Sequence, residues 1–185
     1  VAALGLSRPH MPFKGTLMAI LISPMIVPLI ITSAGMFFFY SKIGLTHTYL
    51  GLILAHTALG TPFVVITVTA TLTGFDTNLI RASQSLGADT MRTFFKVIMP
   101  LILPGVISGG LFAFITSFDE VVVVMFIGSV EQITIPKQMW AGLRQETSPV
   151  ILCMATCLVA LSIGLLTTVE MLRRRSERLR GIKQR

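Results

Sequence analysis

Four long stretches without a charged side chain constrain this protein more than any other feature of its sequence. They are 27, 33, 22 and 23 residues long and cover, in chain order, 15–41, 43–75, 97–118 and 147–169. A helix needs about 20 mostly apolar residues to cross a bilayer, so each stretch is long enough. Backbone polar groups find no water in lipid, and at these lengths only helices satisfy them. We therefore predict an all-α integral membrane protein with four transmembrane helices in this chain, at 17–40, 49–72, 98–127 and 149–171.

The composition excludes a soluble domain. Of the 185 residues, 53% are hydrophobic and only 12% are charged, whereas an average soluble domain carries about 25% charged residues. The net charge of +7 does not indicate a nucleic-acid partner, because such a partner needs cations on a large water-facing surface. Most of that charge lies in the basic tail, 172–185, and the rest of the chain is nearly neutral.

The placement of the basic residues predicts the orientation of the helices. If the first span runs outward, twelve of the fifteen Lys and Arg residues lie inside, and only Lys42, Lys137 and Arg144 lie outside. Cytoplasmic loops are enriched in Lys and Arg. We expect a cytoplasmic loop at 73–97, an external loop at 128–148 and a cytoplasmic C-terminus. The tail either stops translocation or contacts anionic lipid.

The first residues do not have the order of a signal peptide. The apolar run Val1–Leu6 precedes Arg8, whereas a signal peptide has its basic region first. We interpret this run as the cytoplasmic end of an earlier membrane helix. The chain is then expected to belong to a longer protein.

The sequence contains few candidates for catalysis or metal binding. Cys153 and Cys157 lie four residues apart in the last span, where we interpret them as small apolar side chains rather than metal ligands. His47 is expected near the outer interface, and His56 is expected to be a packed or hydrogen-bonded helix residue. We find no nucleophile motif and no phosphate-binding glycine loop. We expect no catalytic residue, metal or cofactor on this chain.

The segment between the second and third spans is the most specific part of the sequence. Asp76 or Thr77 is suited to begin a short helix, and Gly87 is suited to the left-handed turn that ends one. Asp89 or Thr90 is suited to begin a second helix that runs toward Pro100. We predict a compact helix–glycine–helix element in which Leu79, Ala82 and Leu86 share helical spacing. Such an element docks into a groove on a soluble partner or serves as an ordinary amphipathic connector.

This segment resembles the conserved cytoplasmic loop of permease subunits of ABC importers. The family pattern is Glu-Ala-Ala, three residues, Gly, nine residues, Ile, one residue and Leu-Pro. The corresponding residues here are Arg81-Ala82-Ser83, Gly87, Val97 and Met99-Pro100. Arg81 and Ser83 depart from the pattern, which removes any ion pair made by the family Glu but keeps the helix–glycine–helix element.

Further matches extend the resemblance to the spermidine/putrescine-type subgroup, and they are Pro62-Phe63, Phe75-Asp76, Ser117-Phe118-Asp119-Glu120, Ile135-Pro136 and Gln138-Met139. The resemblance implies six helices in a full subunit of the bacterial inner membrane. It also implies a second permease subunit, an external solute-binding protein and a cytoplasmic ATPase dimer that holds ATP and Mg²⁺. The coupling residues that it implies are Arg81, Ala82, Ser83, Leu86, Gly87 and Pro100.

Asp119 and Glu120 are the candidate residues of a translocation path. They interrupt an apolar run, and a carboxylate at membrane depth costs roughly 2.5–3.5 kcal/mol, so it usually faces protein or water. An acidic path attracts a cationic substrate such as a polyamine. The alternatives are a structural hydrogen bond or ion pair with another helix, or a position in the outer leaflet near water.

Three functions are compatible with these features. The first is a transport subunit without catalytic activity of its own, which carries a small solute. The second is a membrane anchor of a larger complex. The third is an intramembrane enzyme that uses Asp119 or Glu120, which the lack of further convergent polar groups disfavours.

Overall fold

The described residues form helices joined by short turns, with no β-strand among them. The structure, a computed structural model, describes residues 2–8, 11–145 and 149–179. The helices are, in chain order, α1 (Ala2–Leu6), α2 (Lys14–Ile26), α3 (Leu29–Ile43), α4 (Tyr49–Thr73), α5 (Asn78–Ser85), α6 (Thr90–Thr93), α7 (Met99–Phe118), α8 (Val122–Ile127), α9 (Ile135–Gln145) and α10 (Pro149–Leu179). A π-helical turn, Phe94–Ile98, joins α6 to α7.

Three helical segments in the described residues are long and apolar enough to cross a membrane. They are Tyr49–Thr73, Thr90–Phe118 and Pro149–Thr168. The pair α2 and α3 meets the same criteria together, with a bend of 105° between the two helices. The prediction of an all-α membrane protein with about four spans is confirmed.

The structure divides the predicted span 17–40 into two helices. Val27 has an extended backbone with ψ 136°, and Pro28 precedes α3. Proline has no N–H to donate, and the residue before it is disfavoured in the helical conformation. The charge-free stretch therefore contains a sharp break, which its apolar composition does not reveal.

The structure also differs from the prediction of one span over 98–127. Helix α7 ends at Phe118, and α8 begins only at Val122. The carboxylate of Glu120 accepts hydrogen bonds from the N–H groups of Val123 (2.8 Å) and Val124 (3.3 Å). A side chain that caps the start of α8 cannot sit inside a continuous helix, so the break follows from Glu120.

Helices α4 and α7 form the main interface of the fold. Small residues at four-residue spacing, Gly105, Gly109 and Ala113, line this face of α7. A Cβ atom on Gly109 would lie 2.8 Å from Cα of Val64, and one on Gly60 would lie 2.9 Å from Cβ of Ala113. Close backbone approach at small residues is the usual way in which membrane helices pack.

Two apolar clusters lie at opposite ends of α4. One contains Leu72 and Ile98, next to the turn into α5, and the other contains Ala55, Leu59 and Val123. The buried residues of each cluster therefore hold α7 or α8 against α4.

Helix α10 packs against α7 and α9. None of its side chains between Pro149 and Thr168 is buried, and Cys153 and Cys157 are free and exposed. Of the predicted tail, residues 172–179 continue α10, and 180–185 lie outside the described residues. Val1 and residues 146–148 of the predicted external loop also lie outside them.

Candidate functional site

The predicted helix–glycine–helix element is present between α4 and α7. Oδ1 of Asp76 accepts the N–H of Asn78 at 2.9 Å, where α5 begins. Gly87 has a φ of +80°, in the left-handed region that favours glycine. Oδ1 of Asp89 accepts the N–H of Arg92 at 2.8 Å and caps α6. We call residues 76–98 the coupling loop.

One side of the coupling loop is packed and the other is open. Phe75, Ile80 and Phe94 pack against the apolar cluster that contains Leu72 and Ile98. Arg81, Ala82 and Leu86 are exposed, and Leu86 is 88% exposed. Packing fixes the position of the loop while an apolar tip stays available for contact.

A hydrogen bond between two hydroxyl groups joins the two helices of the coupling loop. Oγ of Ser83 lies 2.8 Å from Oγ1 of Thr93, and it donates to the carbonyl of Ile80 at 2.9 Å. Thr93 is 2% exposed. Sequence reasoning noted Ser83 only as a departure from the family Ala and missed this partner, because the contact spans ten residues.

Pro100 lies in the first turn of α7, directly after the π-helical turn. The N–H of Met99 bonds to the carbonyl of Phe94, five residues back. A proline ring clashes with the carbonyl four residues before it in a regular α-helix. The wider turn relieves this clash and lets the helix run from the coupling loop into the membrane.

An open groove of about 950 Å³ lies between α4, α7 and the segment 131–136. Its walls are mainly apolar, and polar side chains are spaced along them. The polar residues are Tyr49, His56, Thr57, Thr61, Ser117, Glu131, Gln132 and Thr134. We call this feature the α4–α7 groove.

His56 and Ser117 connect the two helices that form the groove. Nδ1 of His56 lies 2.9 Å from Oγ of Ser117. The prediction of a packed or hydrogen-bonded His56 is confirmed. The partner was missed because the two residues are 61 positions apart. Polar residues at helical spacing within an apolar stretch were the available signal.

Neither predicted path residue lines the groove. Asp119 is exposed at the end of α7, and Glu120 is 5% exposed with its carboxylate bonded to the start of α8. Glu131 is the acidic residue that lines the groove, and Lys137 holds the adjacent turn by donating to the carbonyls of Ser129 (3.1 Å) and Gln132 (3.2 Å).

Residues 1–178 match the family described as binding-protein-dependent transport system inner membrane component. The chain belongs to this family. It is 28% identical over 176 residues to the spermidine/putrescine transport system permease protein PotC of Haemophilus influenzae, covering 95% of this chain and 68% of that protein. PotC of Escherichia coli K12 is 28% identical over 174 residues, covering 94% of this chain and 66% of that protein.

The putrescine transport system permease protein PotI of Escherichia coli K12 is 27% identical over 172 residues, covering 88% of this chain and 60% of that protein. The chain thus spans about two thirds of the length of these relatives. Its fold is similar to that of the methionine ABC transporter MetNI in an inward-facing conformation. The TM-score is 0.73 at 20% identity, and the match covers 95% of this chain and 84% of that one.

The resemblance to ABC-importer permeases is therefore confirmed, and the chain is part of a multi-pass inner-membrane transport component.

Proposed function

We propose that this chain forms most of a permease subunit of an ATP-driven importer, with the coupling loop as its contact to a cytoplasmic ATPase. The observation that carries the proposal is the geometry of the loop, with two capped helices around Gly87 at φ +80° and an apolar tip at Leu86. The chain also belongs to a family of binding-protein-dependent transport components, which supports an importer function for the protein that carries this loop. The chain itself acts as a transport subunit and not as an enzyme.

Each coupling residue has a distinct part in this proposal. Leu86 and Ala82 offer the exposed apolar contact, and Arg81 adds a positive charge where the family has Glu. Gly87 sets the angle between α5 and α6, and Ser83 fixes that angle through Thr93. Pro100 follows the π-helical turn that passes movement of the loop into α7.

The partners follow from the same proposal. An ATPase dimer with ATP and Mg²⁺ grips the coupling loop and its counterpart on a second permease subunit. A solute-binding protein delivers substrate to the opposite side, near α9 and the segment 131–136. The coupling loop and the C-terminus then lie in the cytoplasm, in agreement with the excess of Lys and Arg on that side.

A polyamine-like cation is the proposed substrate. The names of PotC and PotI refer to spermidine and putrescine transport. The α4–α7 groove supports the same substrate class because it combines apolar walls with Glu131. A flexible chain with ammonium ends needs both surfaces.

Co-purification of the ATPase tests the docking part of the proposal. Leu86→Glu places a charge on the exposed tip, and we expect it to abolish co-purification of the ATPase with the permease. Val130→Glu is the matched control, because Val130 is 90% exposed and lies in the predicted external loop. Equal recovery of the ATPase with both variants would contradict docking through the coupling loop.

A further inference from the structure

The face of α4 that lines the groove carries oxygen atoms that accept hydrogen bonds but have no proton to offer. Oγ1 of Thr57 donates its proton to the carbonyl of Ile53 at 2.7 Å, and Oγ1 of Thr61 donates to the carbonyl of Thr57 at 2.6 Å. A hydroxyl has one proton and two lone pairs. Each of these oxygens therefore faces the groove as an acceptor alone. Their four-residue spacing places them about 6 Å apart along the helix axis.

His56 adds a ring nitrogen to the same wall. Its Nδ1 is engaged by Oγ of Ser117 at 2.9 Å, and among the described residues no hydrogen bond involves Nε2. A neutral imidazole has one donor and one acceptor nitrogen. When Nδ1 donates its proton to Ser117, Nε2 retains a lone pair for a ligand in the groove.

The groove also contains a carboxylate and apolar surface. Glu131 supplies the carboxylate, which only accepts hydrogen bonds when ionised. Leu52, Phe114 and Phe118 are among the apolar lining residues. Tyr49, Gln132 and Thr134 also line the groove and carry donor groups, but an anionic ligand would meet the like charge of Glu131. A primary alkylammonium group has three N–H donors and no acceptor, and its methylene chain packs on apolar side chains.

We propose that Thr57, Thr61, His56 and Glu131 form an acceptor-lined subsite for a primary alkylammonium group within the α4–α7 groove. The inference rests on the proposed importer function and assigns residues to its substrate contact. An ammonium group passes from one acceptor to the next along α4, and each contact is weak enough to release it.

A threonine in a membrane helix commonly bonds to the carbonyl four residues back, so the test needs a threonine with that bond outside the groove. Thr116 provides it. Its Oγ1 donates to the carbonyl of Phe112 at 2.8 Å, and Thr116 does not line the groove. A Thr→Val substitution keeps the shape of the side chain and removes the oxygen. The groove threonines and Thr116 then differ only in location.

The experiment measures uptake of labelled 1,4-diaminobutane into proteoliposomes that contain the complete complex with its ATPase and binding protein. We expect the double variant Thr57→Val/Thr61→Val to lower uptake about tenfold, since hydrogen bonds to a charged group are lost. Thr116→Val is expected to match the wild type. The double variant Thr57→Ser/Thr61→Ser keeps both oxygens and is expected to retain uptake.

If the double variant does not assemble, the single variants Thr57→Val and Thr61→Val keep the test decisive. Each is expected to lose less uptake than the double variant. ATP hydrolysis stimulated by the binding protein is measured in the same vesicles and is expected to persist in all variants. If the wild-type complex takes up the diamine, and the Thr57→Val and Thr61→Val variants take it up as fast as Thr116→Val does, the subsite alone is overturned. A wild-type complex that hydrolyses ATP but takes up no diamine would overturn the proposed substrate as well.

Discussion

The hydroxyl oxygens of Ser83 and Thr93 lie 2.8 Å apart and join the two helices of the coupling loop. Ser83 donates to the carbonyl of Ile80, so Thr93 supplies the proton for the bond between the two side chains. Thr93 is buried, so removing the Ser83 hydroxyl would leave the Thr93 hydroxyl without this partner. The family pattern has Ala at this position, so this chain holds its coupling loop with a bond that the pattern does not provide.

Replacing Ser83 is expected to loosen the coupling loop. Ser83→Ala leaves the Thr93 hydroxyl buried without its partner, which costs about 1–3 kcal/mol. Hydrogen–deuterium exchange of residues 78–93 in the purified complex should therefore accelerate about tenfold or more. Ser85→Ala is the control, because Ser85 is exposed and bonds only within α5, to the carbonyl of Arg81 at 3.0 Å. Similar exchange in both variants would show that the bond to Thr93 does not hold the loop.

A side chain on Gly109 is expected to separate α4 from α7. A Cβ atom there would lie 2.8 Å from Cα of Val64, whereas one on Gly110 has no heavy atom within 4 Å. Overpacking of this kind costs about 1–3 kcal/mol. Thermal unfolding in detergent should show a lower midpoint for Gly109→Val and little change for Gly110→Val. Equal midpoints would contradict the close packing of the two helices.

Removing the Glu120 carboxylate is expected to destabilise the connection between α7 and α8. Glu120→Ala leaves the N–H groups of Val123 and Val124 unpaired in a buried position, at a cost of at least about 2 kcal/mol. Glu120→Gln keeps one acceptor oxygen and should lose less stability than Glu120→Ala. The measurement is the thermal midpoint of the purified protein. A loss of the same size in both variants would point to the charge, and not to capping, as the stabilising property.

The groove and the sequence-based path hypothesis make different predictions about two acidic residues. Glu131 lines the groove and Asp119 does not, so Glu131→Gln should lower diamine uptake while Asp119→Asn should not. Attraction between the carboxylate and the ammonium group weakens with ionic strength. The defect of Glu131→Gln should therefore shrink as salt is added. A defect confined to Asp119→Asn would restore the original hypothesis of a path through Asp119.

The sequence was sufficient to predict the coupling loop because its signals are local. The side chains of Asp76 and Asp89 bond to backbone N–H groups two and three residues further on. Gly87 adopts the expected left-handed conformation. The break at Glu120 was not predicted, since charge-free length records apolarity and not backbone continuity.

The groove could not be predicted for a different reason. His56 meets Ser117 only after α4 packs against α7, and the small residues that allow this approach are Gly105 and Gly109. The roles of Thr57 and Thr61 depend on which face of α4 borders the groove. Hydropathy does not assign that face, because the whole helix is apolar enough to be a span.

The most direct test of the proposed importer function is ATP-driven uptake by the complete complex in proteoliposomes, with diamine uptake and ATP hydrolysis measured together. We expect uptake that requires ATP, the binding protein and an intact Leu86, with hydrolysis stimulated by the loaded binding protein. A complex that binds its ATPase through the coupling loop but moves no solute would contradict it and identify the chain as a membrane anchor.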